Sequence, residues 1–152
     1  MAETSESKTK KDAINDEQQC HDPAVQGSKG ANMNDLAVIL KQTFKDKDYR
    51  HGYVDDFLNA YIATQIKVLR EQRGWSQKEL ADHAGMMQPR ISVLENVNYS
   101  SWSIKILRKI AEAFDLTLCV SFENFGSRLE DIEKFSRNNL ERCSFDKDVK
   151  AR

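Results

Sequence analysis

Between Gln77 and Asn96 the chain reads QKELADHAGMMQPRISVLEN, and this stretch restricts the available folds more than any other. Two short runs with apolar residues at helical spacing are separated by Gly85. A helix-turn-helix is two short helices crossing steeply about a tight turn. Its first helix needs a small residue where the second crosses, and Ala81 stands there. Its turn needs a residue that tolerates positive φ, which Gly85 supplies. Leu80, Ala84, Met86, Ile91 and Leu94 are apolar at the inward positions. Met87, Gln88, Pro89, Ser92, Val93 and Asn96 take the outward face of the second helix. Pro89 is costly inside a helix but tolerated in its first turn, so it predicts a second helix that starts near Gln88.

The rest of the chain supports this core unit. Residues 1–32 hold no aromatic side chain and are rich in Ser, Lys, Asp, Glu and Gln, so they are predicted to be a disordered tail. A helical extension over 33–61 follows, with Leu36, Leu40 and Phe44 at helical spacing. Leu58, Ile62, Ile66 and Leu69 continue an apolar stripe to Gln72, and Gly74 is suited to end that helix. Ser76 and Glu79 form a capping-box pattern. Ser103 to Phe114 carries Ile104, Leu107, Ile110, Ala111 and Phe114 on one face, which closes a helix-turn-helix unit at 62–114.

After Phe114 the period changes to two. Leu116, Leu118, Val120 and Phe122 alternate with Thr117, Cys119 and Ser121, which predicts a strand with one apolar face. A further helix is predicted from the Ser127–Glu130 capping pattern to Arg137, and a frayed tail over 139–152. No second strand pattern exists for the first to pair with, and a lone strand leaves its backbone groups unsatisfied. Pairing with a second copy through Leu116, Leu118, Val120 and Phe122 is the economical solution, so 115–138 is read as a homodimerisation segment.

The stretch resembles the Xre/Cro-type, lambda-repressor-like helix-turn-helix family. Gln77, Leu80-Ala81, Gly85, Ile91-Ser92 and Glu95 match its motif, and the likeness covers Ile62 to Phe114. The resemblance implies a mostly α fold, a five-helix bundle, here followed by the strand and helix. It also implies that Gln77 clamps a phosphate and braces the recognition glutamine, Gln88. The amide of Gln88 suits the N6 and N7 edge of adenine in the major groove. Lys78 and Arg90 are candidate phosphate contacts, and Ser92 and Asn96 candidates for base or phosphate. Met87 departs from the family's serine and cannot cap the helix as serine does. Trp75 and Trp102 are read as core wedges, and Glu95 as an internal brace.

Charge at first argues against a nucleic-acid partner, since 23 basic and 24 acidic residues leave a net −1. The balance is uneven, however. Residues 62–113 hold eight basic and five acidic residues, between acidic flanks. Only charge within about a Debye length, ~8 Å, acts on a phosphate, so the local excess matters more than the total. Three scattered cysteines (Cys20, Cys119, Cys143) in no CxxC pair argue against a zinc site and a disulfide framework. Asp82 and His83 are neighbours on one helix and point apart, which removes the nearest approach to a catalytic triad. No apolar run is long enough for a membrane span. The expectation is a non-enzymatic bacterial or phage cytoplasmic protein without cofactor or metal. It binds a double-stranded DNA operator as a repressor or, alternatively, is an antitoxin that also binds a toxin partner.

Overall fold

A computed structural model describes residues 33–151. The predicted disordered tail, 1–32, lies outside the described residues. Among the described residues eight helices follow one another: α1 (Met33–Thr43), α2 (Lys47–Gln72), α3 (Gln77–Ala84), α4 (Gln88–Leu94), α5 (Ile104–Ala113), α6 (Phe125–Glu133), α7 (Arg137–Leu140) and α8 (Phe145–Ala151). Asp46 caps α2 by accepting the Tyr49 N–H at 2.8 Å. From there α2 runs 26 residues without interruption, so the expected boundary at 61/62 falls inside one continuous helix.

Three helices end by the same device. Gly74 has φ +69° and Gly85 φ +60°, and at each the following N–H reaches back five residues, Trp75 to the Arg70 carbonyl and Met86 to the Ala81 carbonyl. That is the left-handed cap in which glycine costs least. A Cβ at either position meets nothing within 4 Å, so the backbone conformation, not space, selects glycine. The third cap is Asp115, with φ +56° and the Leu116 N–H bonded to the Ala111 carbonyl. Its carboxylate accepts the N–H of Phe145, a contact that glycine lacks.

The core lies among α2, α3, α4 and α5. Ile66, Leu69, Leu80, Ala81, Ala84, Ile91, Leu94, Ile110 and Phe114 are buried together. Ala81 is 1 % exposed, which lets α4 approach α3 closely, as the motif requires. Trp75 is half-buried and stacks between His83 and Phe114, with ring centroids 4.1 and 5.7 Å away. Trp102 packs against the same core, so both tryptophans act as wedges.

The structure corrects the strand. Residues 116–122 form no strand, and the described elements are all helical. Alternation specifies which face of a segment is apolar but supplies no ladder partner, and the chain around this segment is helical. Leu116 packs against the core and Leu118 is half-buried, whereas Val120 is 68 % exposed and Phe122 entirely so. The next helix also differs. It begins at Phe125 rather than Ser127, with Asn124 as N-cap and no side-chain capping bond. Aromatic contact explains the earlier start, since the Phe125 ring meets Phe44 at 6.3 Å and His51 at 5.2 Å.

The end of the chain is not frayed at residue 139. Leu140 is 2 % exposed, and its carbonyl accepts from Gln65 Nε2 at 3.3 Å. Arg137 pairs with Glu71 at 2.7 Å, and the Arg142 N–H donates to Gln72 at 3.2 Å. Arg73 donates to the carbonyls of Arg142 and Phe114, and burial lowers its pKa. The segment is therefore strapped along the last turns of α2. Cys119 is an exposed free thiol. Among the described residues no helix is long and apolar enough to cross a membrane. Leu140→Ala is expected to destabilise the protein by about 2–4 kcal/mol through the cavity it leaves, measured by urea unfolding.

Candidate nucleic-acid interface

The capping box at the start of α3 is complete. Ser76 Oγ accepts the Glu79 N–H at 3.2 Å, and the Glu79 carboxylate accepts the Ser76 N–H at 2.6 Å. The Ser76 backbone N–H foremost, and then the Ser76 side chain, hold the Glu79 carboxyl below its ordinary pKa. Gln77 therefore stands at a fixed helix start. After the Gly85 turn, Met87 is the N-cap of α4 with no side-chain capping bond, and Pro89 sits in the first turn. Both features follow the sequence reading. Ile91 and Leu94 point into the core, leaving Gln88, Pro89, Ser92 and Val93 exposed on the opposite side. Asn96 lies beyond the helix, whose C-cap is Glu95. Its Oδ1 accepts the Asn98 N–H at 2.9 Å, so it closes the following turn instead of extending the helical face.

A chain of hydrogen bonds links this face to α2. Arg70 grips Glu95 with two bonds, Nε to Oε1 at 2.6 Å and Nη2 to Oε2 at 3.0 Å. Its Nη1 donates to the Trp75 carbonyl at 2.7 Å. The pair is largely sheltered, with side chains 13 % and 5 % exposed, and the bond to Glu95 raises the Arg70 pKa against the opposing effect of burial. Glu95 Oε2 also accepts from Gln77 Nε2 at 3.0 Å, and Gln77 Oε1 accepts from Gln88 Nε2 at 3.1 Å. A carboxylate can only accept, so it fixes which end of the Gln77 amide faces Gln88. The Gln88 amide is oriented in turn. It retains its Oε1 and a second Nε2 hydrogen for a further partner.

The other expected contacts are less free. Lys78 pairs with Asp82 at 2.8 Å on an exposed surface, a contact of small energetic weight. Arg90 is half-buried and donates to the Tyr99 hydroxyl at 2.8 Å. Met87 is 78 % and Val93 42 % exposed, so two apolar side chains stand open on or beside the same face. Sequence reasoning assigned Glu95 as a brace but missed its partner, Arg70. Twenty-five residues separate them, and nothing local in the sequence marks the pair. Tyr99 was missed for the same reason.

Comparison with known proteins agrees with this geometry. The profile of the helix-turn-helix family matches residues 66–120. The competence pilus inhibition repressor of Acinetobacter baylyi is 34 % identical over 46 % of this chain and 68 % of its own length. Antitoxin HipB of Escherichia coli O6:H1 is 40 % identical over 38 % of this chain and 63 % of its own. Antitoxin HipB of Escherichia coli K12 is 38 % identical over 38 % of this chain and 67 % of its own. The chain thus spans about two thirds of the length of the curated relatives it matches. No solved structure gives a significant match. The chain belongs to the Xre/Cro-type helix-turn-helix family, a class of DNA-binding regulators.

Glu95→Ala strands the Arg70 charge and frees the Gln77 amide. It is expected to destabilise the domain by about 3 kcal/mol in thermal or urea unfolding. Glu95→Gln, which keeps an acceptor, is expected to cost less.

Proposed function

We propose that this protein is a transcriptional repressor that binds double-stranded DNA sequence-specifically, without enzymatic activity, as a homodimer in the bacterial cytoplasm. The observation that carries this reading is the Glu95–Gln77–Gln88 chain. It presents an acceptor and a donor of Gln88, in fixed order, at the start of an exposed helix. Adenine offers the complementary pair, an N6 donor and an N7 acceptor, on its major-groove edge. Gln77, at the start of α3, meets a phosphate with help from the helix dipole. Met87 and Val93 suit thymine methyl groups, Pro89 and Ser92 border the same groove, and Lys78, Arg90 and Asn96 contact the strands.

Dimerisation rests on Leu116, Leu118, Val120 and Phe122. The outer two are exposed apolar residues on the non-helical link between α5 and α6. Contact between these exposed side chains of two copies takes their apolar surface out of water. Two copies then read half-sites about one helical turn apart, ~34 Å. The similarity to two HipB antitoxins favours a second reading, in which the chain neutralises a toxin partner and regulates its own promoter. Co-purification of a stoichiometric partner from the native host decides for it.

Gln88→Ala is expected to weaken binding to a selected operator by about 1–3 kcal/mol and to relax preference at one base position, measured by anisotropy titration against operator variants. Unchanged preference sinks the docking. Phe122→Lys is expected to yield a monomer in light scattering without loss of helicity, since Phe122 is fully exposed among the described residues. A persistent dimer rules out the pairing through this segment.

A further inference from the structure

The recognition helix is braced a second time, on the side opposite Gln88's chain of bonds. Arg90 Nη2 donates to the Tyr99 hydroxyl at 2.8 Å, and its guanidinium carbon lies 5.2 Å from the Tyr99 ring centroid. The hydroxyl donates to the Ser101 carbonyl at 2.6 Å. The Tyr99 ring stands edge-on to Trp102, centroids 4.8 Å apart, and Trp102 Nε1 donates to Asn59 Oδ1 at 3.0 Å. Asn59 belongs to α2, so Arg90 is tied through the loop after α4 to the long helix.

The chemistry of the hydroxyl gives this network a direction. A carbonyl only accepts, so the single Tyr99 hydroxyl proton goes to Ser101, and the oxygen's lone pairs are left for Arg90. One of the five guanidinium N–H groups is taken, and the guanidinium carbon lies over the Tyr99 ring, so the fork is held from two directions. Arg90 is half-buried between the exposed and the core-facing sides of α4. A cation at that rim meets the DNA strand rather than the floor of the groove. An unrestrained arginine loses rotamer freedom when it binds a phosphate. Here that ordering has already occurred on folding.

We propose that Tyr99 is a positioning residue for DNA binding, holding the Arg90 guanidinium in the orientation in which its remaining N–H groups clamp one backbone phosphate. The proposal rests on the DNA-binding reading above. It makes Arg90 and Tyr99 one functional unit, distinct from Gln88, which reads a base.

The test is a double-mutant cycle on the full chain, with an operator selected from random DNA by the wild-type protein. Tyr99→Phe keeps the ring on Trp102 and removes only the hydroxyl. It is expected to weaken operator binding about three- to tenfold. Arg90→Ala is expected to weaken it at least as much, uniformly across operator variants, and to reduce the salt slope by about one. The double variant is expected to bind no more weakly than Arg90→Ala alone. Arg90→Lys keeps the charge but not the fork, so adding Tyr99→Phe to it is expected to change nothing. Wild-type affinity in Tyr99→Phe overturns the proposal, as does a full multiplication of the two single losses in the double variant. Loss of base preference in Gln88→Ala beside a silent Tyr99→Phe overturns the Tyr99 assignment alone. Selection of no sequence by the wild-type protein overturns both it and the DNA-binding reading.

Discussion

The sheltered pair between Arg70 and Glu95 is the constraint on which the rest of the helix-turn-helix depends. It joins the last turn of α2 to the C-cap of α4, two points that the chain separates by 25 residues. Burying two charges is costly unless the geometry is good and further bonds use the remaining lone pairs and protons. Both conditions are met. Arg70 spends a third donor on the Trp75 carbonyl, and Glu95 accepts a third bond from Gln77. The ion pair is therefore also an alignment device, because the last of those bonds determines how the Gln77 and Gln88 amides lie.

The apolar core and the polar network divide the work. Ile91 and Leu94 set how deep α4 sits and which side it shows. Packing of this kind is tolerant of small rotations, since apolar contact has no direction. The hydrogen bonds from Gln88 to Gln77 and from Arg90 to Tyr99 remove that freedom at the two ends of the first turn. Each network returns to α2, one through Arg70 and the other through Asn59. A short helix that propensity alone leaves marginal is thus held at several points by one long one.

What the sequence made legible follows from the range of each interaction. The capping box at Ser76, the glycine stops at Gly74 and Gly85, and the start of α4 near Pro89 all arise from residues within one turn of one another. Each was readable. The inward set Leu80, Ala84, Ile91 and Leu94 was readable from period alone. The failures have the opposite character. The segment after Phe114 has the alternation of a strand, but whether a strand forms depends on a partner, and no pattern within the segment carries that information. The left-handed conformation of Asp115 was missed because aspartate is a poor marker of it, and its compensating contact comes from Phe145, thirty residues on. The charged composition of the last residues hid Leu140, a single apolar side chain with a distant socket on α2. Asn96 was placed on a helical face by counting, whereas its short amide folds back onto Asn98.

The length of α2 has a mechanical consequence. At about 1.5 Å per residue, its 26 residues make a rod of roughly 39 Å. A continuous helix without proline or glycine near its middle resists local bending. Its first turns touch the aromatic group around Phe44 and Tyr53, while its last turns carry Arg70 and receive the chain's end at Leu140. Both ends are thus fixed to the same backbone rod. The extension and the recognition surface are therefore built on opposite ends of one helix.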